Sequence, residues 1–210
     1  METPAKPLPR PGRREDILAA ATQLFSRHGV HAVTTRQIAA AVGISQPSLY
    51  AHFASVQTIQ DEVSSRAFAL LDQMCAPRPG APAQDQLRQT VAGCVAFGLN
   101  NPDAYRIAFL LEHAKPAHAA GDAGASVWDG EACIAADHPG PRIFGLLRQI
   151  LAQLRPDLPD TALMILCQSL WATLHGLVSL LIARPDFPWA DRGRLIADHS
   201  RRACAMVMIP

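Results

Sequence analysis

Thr34-Thr-Arg-Gln-Ile-Ala-Ala-Ala-Val-Gly-Ile-Ser-Gln-Pro-Ser-Leu-Tyr-Ala-His-Phe53 is the stretch that decides the fold of this 210-residue chain. Thr34 and Thr35 carry side-chain oxygens that can cap a short helix over 36–42. Gly43 breaks that helix, because it adopts the left-handed conformation of a tight turn without a Cβ penalty. Ser45 can cap a further helix, with Pro47 tolerated in its first turn, running to about Phe53. Ile38, Val42, Ile44 and Leu49 supply the apolar side of the pair, and Ala39 is small where the second helix must come close. That leaves Gln46, Ser48 and Tyr50 near the outer face. Small polar groups at a helix N-terminus can reach base edges and phosphates in a major groove. An ordinary packed helical corner would use the same Gly and Ala, so the pair alone leaves both readings open.

On the N-terminal side, Ile17, Leu18, Ala21, Leu24 and Phe25 recur at helical spacing from about Arg13 to His28, and Gly29 stops the run. Four prolines (Pro4, Pro7, Pro9, Pro11) keep residues 1–12 out of any regular element. This opening has no apolar stretch of the secretory type. On the C-terminal side the pattern predicts a longer helix over 56–74. A linker marked by Pro77, Pro79, Gly80 and Pro82 comes next, then helices at about 84–99 and, after Asn101-Pro102, on to His113. Residues 114–141 read as a long loop rich in Ala, Gly, Asp and Pro. Helical spacing returns at about 141–154, 160–183 and 189–208. No segment alternates like a strand. The expected class is all-α, with a three-helix helix-turn-helix domain over 11–71 and a larger helical bundle over 84–208.

Charge supports that division. Residues 1–54 hold six Lys/Arg against three Asp/Glu, on a chain whose formal net charge is only +1. A basic first quarter on a slightly acidic body suits a small nucleic-acid module on a separate platform. The five cysteines are scattered and never form a CxxC pair, which argues against a disulfide framework or a zinc ribbon and fits a reduced cytoplasm. His113, His118 and His138 flank the long loop, but their spacings match no metal-ligand pattern. No phosphate-binding glycine loop, nucleophile elbow, paired-carboxylate motif or HExxH is present, so an enzyme is not expected, nor a cofactor or a metal.

Taken together, Leu24-Phe25, Gly29, Thr34-Thr35, Ile38-Ala39, Gly43-Ile44-Ser45, Leu49-Tyr50 and His52-Phe53 resemble the TetR family of bacterial repressors over about residues 13–65. The resemblance implies that Arg36 anchors the first helix of the motif to the DNA backbone, that Gln46, Pro47 and Ser48 are base-reading positions, and that Tyr50 and His52 touch phosphate. Thr34, Thr35 and Ser45 are expected within the same DNA-binding surface. One departure stands out. The family usually carries a Lys just after the motif, where this chain reads Ser55-Val56-Gln57. One phosphate contact fewer weakens binding and flattens its salt dependence. Lys6, Arg10, Arg13 and Arg14 are the candidates to replace it.

Two later pieces, Asn101-Pro102-Asp103-Ala104-Tyr105-Arg106 and Trp171-Ala-Thr-Leu-His175-Gly176-Leu177, resemble the regulatory domain of one TetR subgroup, the Trp–His–Gly type. The resemblance implies a homodimer formed through the last two helices. It also implies a palindromic double-stranded operator whose half-sites lie about one DNA turn apart, roughly 34–36 Å. A small-molecule effector is implied as well, in a cavity whose candidate walls are Leu70, Met74, Val95, Leu99, Tyr105, Phe109, Phe144 and Leu147, with Trp171 and His175 beside them. Those walls are mostly apolar, so a hydrophobic or aromatic effector is expected. Beside Gly176 on an apolar helix, a histidine such as His175 is more often a hydrogen-bonded packing residue than a ligand sensor. The run from Thr161 to Ala183 is long enough to cross a bilayer. Its polar members Gln168, Ser169, Thr173, His175 and Ser179 fit better in a buried helix at a dimer interface, with Leu163, Leu166, Leu170, Leu174, Leu177 and Leu181 as the apolar stripe.

Overall fold

A computed structural model describes residues 12–110 and 139–209. Every regular element among the described residues is helical. The order is α1 (Arg13–His28), a 3₁₀ turn (Val30–Ala32), α2 (Thr35–Val42), α3 (Gln46–Tyr50), α4 (Val56–Cys75), α5 (Ala83–Asn100) and α6 (Pro102–Tyr105). A π-helical turn (Arg106–Leu110) follows α6 directly, and then come α7 (Pro139–Leu154), α8 (Asp160–Ala183) and α9 (Arg192–Met206). Most of the long loop expected over 114–141 lies outside the described residues, as do the three loop histidines. The helix over 139–154 opens two residues before the expected start.

The chain forms two compact units. The first runs to Ala67 and takes in the stretch from Arg106; the second holds Phe68–Tyr105 and α7 to α9. Helix α4 belongs to both. In the first unit Ile17, Leu18, Ala21 and Phe25 of α1 enclose Ile38 and Ala39 of α2, Leu49 of α3, and Ile59 and Val63 of α4. Ile107, from the π-helical turn, is 1% exposed in the same cluster. The segment after Asn101-Pro102 is helical through Leu110, as expected, but in two different forms, and residues 111–113 of the expected helix lie outside the described residues. Four residues of α6 give way to a wider turn, and the chain returns to the core of the unit it left forty residues earlier.

In the second unit α5, α7, α8 and α9 pack on one another. Leu163, Leu170, Leu174, Leu177 and Leu181 are buried among them. The leucine stripe of α8 thus fills its own subunit's core, which corrects its assignment to a dimer interface. The outward side of α8 carries Ile165 (60% exposed), Gln168, Ala172 and Leu180 (52%) instead, with no charge. Among the described residues α8 is the one helix long and apolar enough to span a membrane, with a mean hydropathy of 1.7. Packing of one face against three neighbours accounts for that composition.

Two helix ends differ from the sequence pattern. Helix α3 stops at Tyr50 rather than Phe53, where the amide of His52 donates to the Leu49 carbonyl at 2.9 Å and turns Phe53 into the core. Helix α9 starts at Arg192 rather than Trp189. Asp191 caps it by accepting from the Arg194 amide at 2.8 Å, while the Trp189 indole donates to the Arg184 carbonyl at 2.8 Å and stays in the turn.

Gly98 sets how closely α5 and α8 approach. A Cβ there would lie 2.3 Å from Val178 Cγ1 and 2.9 Å from the Tyr105 ring. Gly98→Ala should therefore destabilise the second unit by about 1–3 kcal/mol through overpacking, read as a lower denaturant midpoint. Gly176→Ala, whose Cβ would meet nothing within 4 Å, should leave the monomer's own packing unstrained.

Candidate nucleic-acid interface

Helix α2 begins with reciprocal capping. The Gln37 amide donates to Thr34 Oγ1 at 3.3 Å, and the Thr34 amide donates to Gln37 Oε1 at 2.8 Å. Sequence reading found the cap residue but not its partner, although a Thr followed three positions later by Gln is the capping-box signature. Gly43 ends α2 at φ 69°, with its amide on the Ala40 carbonyl and that of Ile44 on the Ala39 carbonyl. Ser45 caps α3 by accepting from the Ser48 amide at 3.3 Å. Its hydroxyl oxygen therefore shapes the helix end.

This geometry brings several expected site residues together. Gln46 Nε2 donates to Thr35 Oγ1 at 3.1 Å, and Thr35 Oγ1 lies 3.3 Å from the Tyr50 hydroxyl. Thr35 thus joins one side chain from the start of α3 to one from its end. Tyr50 is 51% exposed; Thr34, Arg36, Ser45 and Pro47 are exposed, and Gln46, Ser48 and His52 are half-buried. The result is a compact polar surface over a fully apolar floor of Ile38 and Leu49.

The basic residues at the start behave differently from expectation. Arg14 pairs with both carboxylate oxygens of Glu62, and its guanidinium sits 4.5 Å from the centre of the Phe53 ring. Arg66 pairs with Glu15, and with Glu62 at 3.0 Å. The Arg66 hydrogen bond holds the Glu15 carboxyl below its ordinary range, and the Arg14 bond does the same for Glu62. Arg14 therefore ties α1 to α4 and is not spare for phosphate. Arg13 lies 3.9 Å from Asp16; Lys6 and Arg10 fall outside the described residues. The missing Lys after the motif also has a structural reason. Ser55 accepts from the Thr58 amide at 3.1 Å at the start of α4, and Val56 packs on the apolar core of the first unit.

The expected effector walls divide between the units. Leu70, Met74, Val95, Leu99, Tyr105, Phe144, Leu147, Trp171 and His175 lie in the second, whereas Phe109 belongs to the first. Within the second unit an aromatic run forms. The Tyr105 hydroxyl is 2.7 Å from His175 Nδ1 and 3.4 Å from the His175 carbonyl, the Trp171 ring is centred 5.6 Å from that of His175, and Phe144 meets Trp171 edge-on at 6.4 Å. Burial pushes the Tyr105 phenol up and the His175 imidazole down, so both are neutral near pH 7. A separate cleft of about 480 Å³ opens between α5 and α9, lined by Leu87, Arg88, Val91, Arg201, Cys204 and Met208 among others. None of the expected wall residues borders it.

Residues 17–63 match the model for bacterial regulatory proteins of the tetR family, and residues 87–200 match a tetracycline repressor-like C-terminal domain. The chain belongs to the TetR family. Members of that family are DNA-binding transcriptional regulators. Among curated relatives, the nucleoid occlusion factor SlmA of Photobacterium profundum is 33% identical over 104 residues, 45% of this chain and 50% of that protein. The transcriptional repressor KstR2 of Rhodococcus jostii is 46% identical over 52 residues, 25% of this chain and 26% of that protein. The chain therefore spans half or less of the length of these relatives. A tetR-family regulatory protein from Rhodococcus RHA1 has the same fold, with a TM-score of 0.69 at 20% identity, covering 94% of this chain and 98% of that one. So does TetR from Acinetobacter baumannii in complex with minocycline, with a TM-score of 0.56 at 16% identity over 91% and 92%.

A neutral His175 in the fold has a thermodynamic consequence. Its folded pKa lies below the ordinary 6.5, so the unfolded chain binds the proton first as pH falls. The stabilising contribution is complete above about pH 6.5 and is lost as pH drops toward the depressed folded value. The fall in unfolding free energy between pH 7.5 and 5 should be shallower in His175→Gln than in the unaltered protein, as measured by urea denaturation at each pH.

Proposed function

We propose that this protein is a dimeric cytoplasmic repressor that binds a palindromic operator through α2 and α3 and is released by a small, largely apolar effector. Residues 11–71 then serve as the DNA-binding domain and 84–208 as the effector and dimerisation domain. The observation that carries the reading is the bridge from Gln46 through Thr35 to Tyr50. It holds the Gln46 amide, the proposed base reader, and the Tyr50 hydroxyl, the proposed phosphate contact, on one five-residue helix. Arg36 stands exposed on the first turn of α2, beside amides that favour an anion. One relative is named a repressor, and a protein of the same fold is described with minocycline bound. Both fit ligand-controlled repression.

The aromatic run of Tyr105, His175, Trp171 and Phe144 is the proposed effector wall. Two neutral hydrogen-bonding groups in an apolar lining can orient a polar end of a hydrophobic ligand. The covalent route to the DNA-binding unit is short. Tyr105 is buried in the second unit, and Ile107, two residues on, is buried in the first. The effector must favour the DNA-incompetent form, since equal affinity for both forms shifts nothing.

Selection from random DNA tests the interface. Tyr50→Phe should weaken binding to all selected sequences alike. Gln46→Ala should relax preference at one base position, at a cost of about 1–3 kcal/mol. The assignment fails if Tyr50→Phe changes sequence preference and Gln46→Ala does not.

Dimerisation is assigned to the outward side of α8, where Ile165, Ala172, Gly176 and Leu180 form an uncharged surface with room for close approach at Gly176. Sedimentation at micromolar concentration should give twice the chain mass. Ile165→Glu with Leu180→Glu should shift the species to a folded monomer and reduce operator affinity together with it. Retention of the dimer in that double variant would remove α8 from the interface.

A further inference from the structure

The sulfurs of Cys75, in the last turn of α4, and Cys94, in the middle of α5, lie 3.0 Å apart. That is inside ordinary non-bonded contact, about 3.5–4.0 Å between carbons, and about 1 Å from a covalent S–S bond. Both cysteines are free thiols. The helices around them are held to the same closeness by independent contacts. Gly93 passes so near α4 that a Cβ would lie 2.0 Å from the Met74 carbonyl oxygen. The Thr90 hydroxyl donates to the Cys75 carbonyl at 3.1 Å, and the Arg78 amide donates to Gln89 Oε1 at 2.8 Å. The two sulfurs therefore face each other across a fixed helix junction.

We propose that Cys75 and Cys94 form a redox-active dithiol that a small hydroperoxide closes to a reversible disulfide. Cys94 is half-buried and Cys75 fully buried, so Cys94 meets the oxidant. Its thiolate attacks the outer peroxide oxygen. The O–O bond breaks, the alkoxide or hydroxide leaves and takes up a proton as an alcohol or water, and Cys94 becomes a sulfenic acid. Cys75 then attacks the Cys94 sulfur, the S–S bond forms and the S–O bond breaks. The departing hydroxide takes the Cys75 proton and leaves as water. Two thiols lose two electrons to one peroxide. Full burial keeps peroxide from Cys75, and the contact with Cys94 together with burial favours its thiol form, so its proton is at hand where hydroxide departs.

The other described cysteines have no such partner sulfur among the described residues. Cys167 faces the Phe144 carbonyl at 4.0 Å, and burial pushes its thiol up to about 12. Burial also raises Cys204. A disulfide at 75–94 would clamp the linker between α4 and α5 and fix the C-terminal end of the helix that both units share. In a reducing compartment such bonds are transient and carry a signal. The chemistry is read on thiols and does not depend on the repressor assignment.

The test uses the full chain with Cys133, Cys167 and Cys204 replaced by Ser, reduced and then treated with hydrogen peroxide in slight excess. The expected result is loss of both titratable thiols and a mass lower by two hydrogens. A peptide should link residue 75 to residue 94, and dithiothreitol should restore both thiols. With Cys75→Ser added, oxidation should stop at a Cys94 sulfenic acid trapped by dimedone; with Cys94→Ser, Cys75 should stay reduced. Persistence of both thiols, or accumulation of trapped sulfenic acid with no 75–94 peptide while Cys75 is present, overturns the proposal. If a variant fails to fold by circular dichroism, the linked peptide from the unaltered, peroxide-treated chain decides the matter in the same way.

Discussion

Burial of Leu49 is the constraint on which the first unit depends. Helix α3 has five residues, far below the length at which a helix holds itself in water. It exists because Leu49 is wholly buried with Ile38, Ala39 and the apolar face of α1, and because Ser45 and the turn after Tyr50 satisfy its ends. Every polar contact above it follows from that anchor. The Gln46 amide reaches Thr35 only if α3 sits at its present rotation, and Tyr50 reaches the same oxygen only if the helix ends where it does. Leu49 fixes both.

The rest of the first unit secures that anchor from outside. Arg14, Arg66, Glu15 and Glu62 join α1 to α4 at the surface. Single exposed ion pairs contribute little; four charges sharing partners, with Arg14 also over Phe53, constrain the helix crossing more than any pair alone. The Ile107 side chain closes the core from a segment that lies far along the sequence. A mixed composition thereby gives a basic residue a structural task, which composition cannot distinguish from a phosphate contact.

The local code was largely legible in the sequence. Thr34, Gly43 and Ser45 act on backbone groups within a few residues, so their roles follow from residue type and spacing. The extent of α8 follows likewise from helical spacing along an apolar run that carries no charge after Asp160. What the sequence hid depends on tertiary partners. Leucines at helical spacing declare an apolar face, but not whether it meets the same subunit or another; in α8 it meets the same subunit. Asn101-Pro102 signals a break, yet nothing in Arg106–Leu110 signals a π-helical turn whose isoleucine serves the other unit. Two cysteines nineteen positions apart give no hint of a shared contact, since Gly93 and Thr90 set that contact through the packing of α4 on α5.

Helix α8 shows how one segment meets two demands. Its inner side must fill a core between α5, α7 and α9, which calls for leucine. Its outer side carries Ile165, Gln168, Ala172, Gly176 and Leu180, uncharged and partly apolar, where a helix meant for solvent would carry Lys or Glu. The scarcity of charge on both sides gives the segment a membrane-like hydropathy; packing within the subunit accounts for the inner side, and the proposed dimer contact would account for the outer one. His175 belongs to neither side. It is half-buried, neutral and bound to Tyr105, the last residue of the second unit before the chain returns to the first. In the proposed effector site, a ligand competing for that hydrogen bond would act on Tyr105, the residue next to the point where the chain passes from one unit to the other.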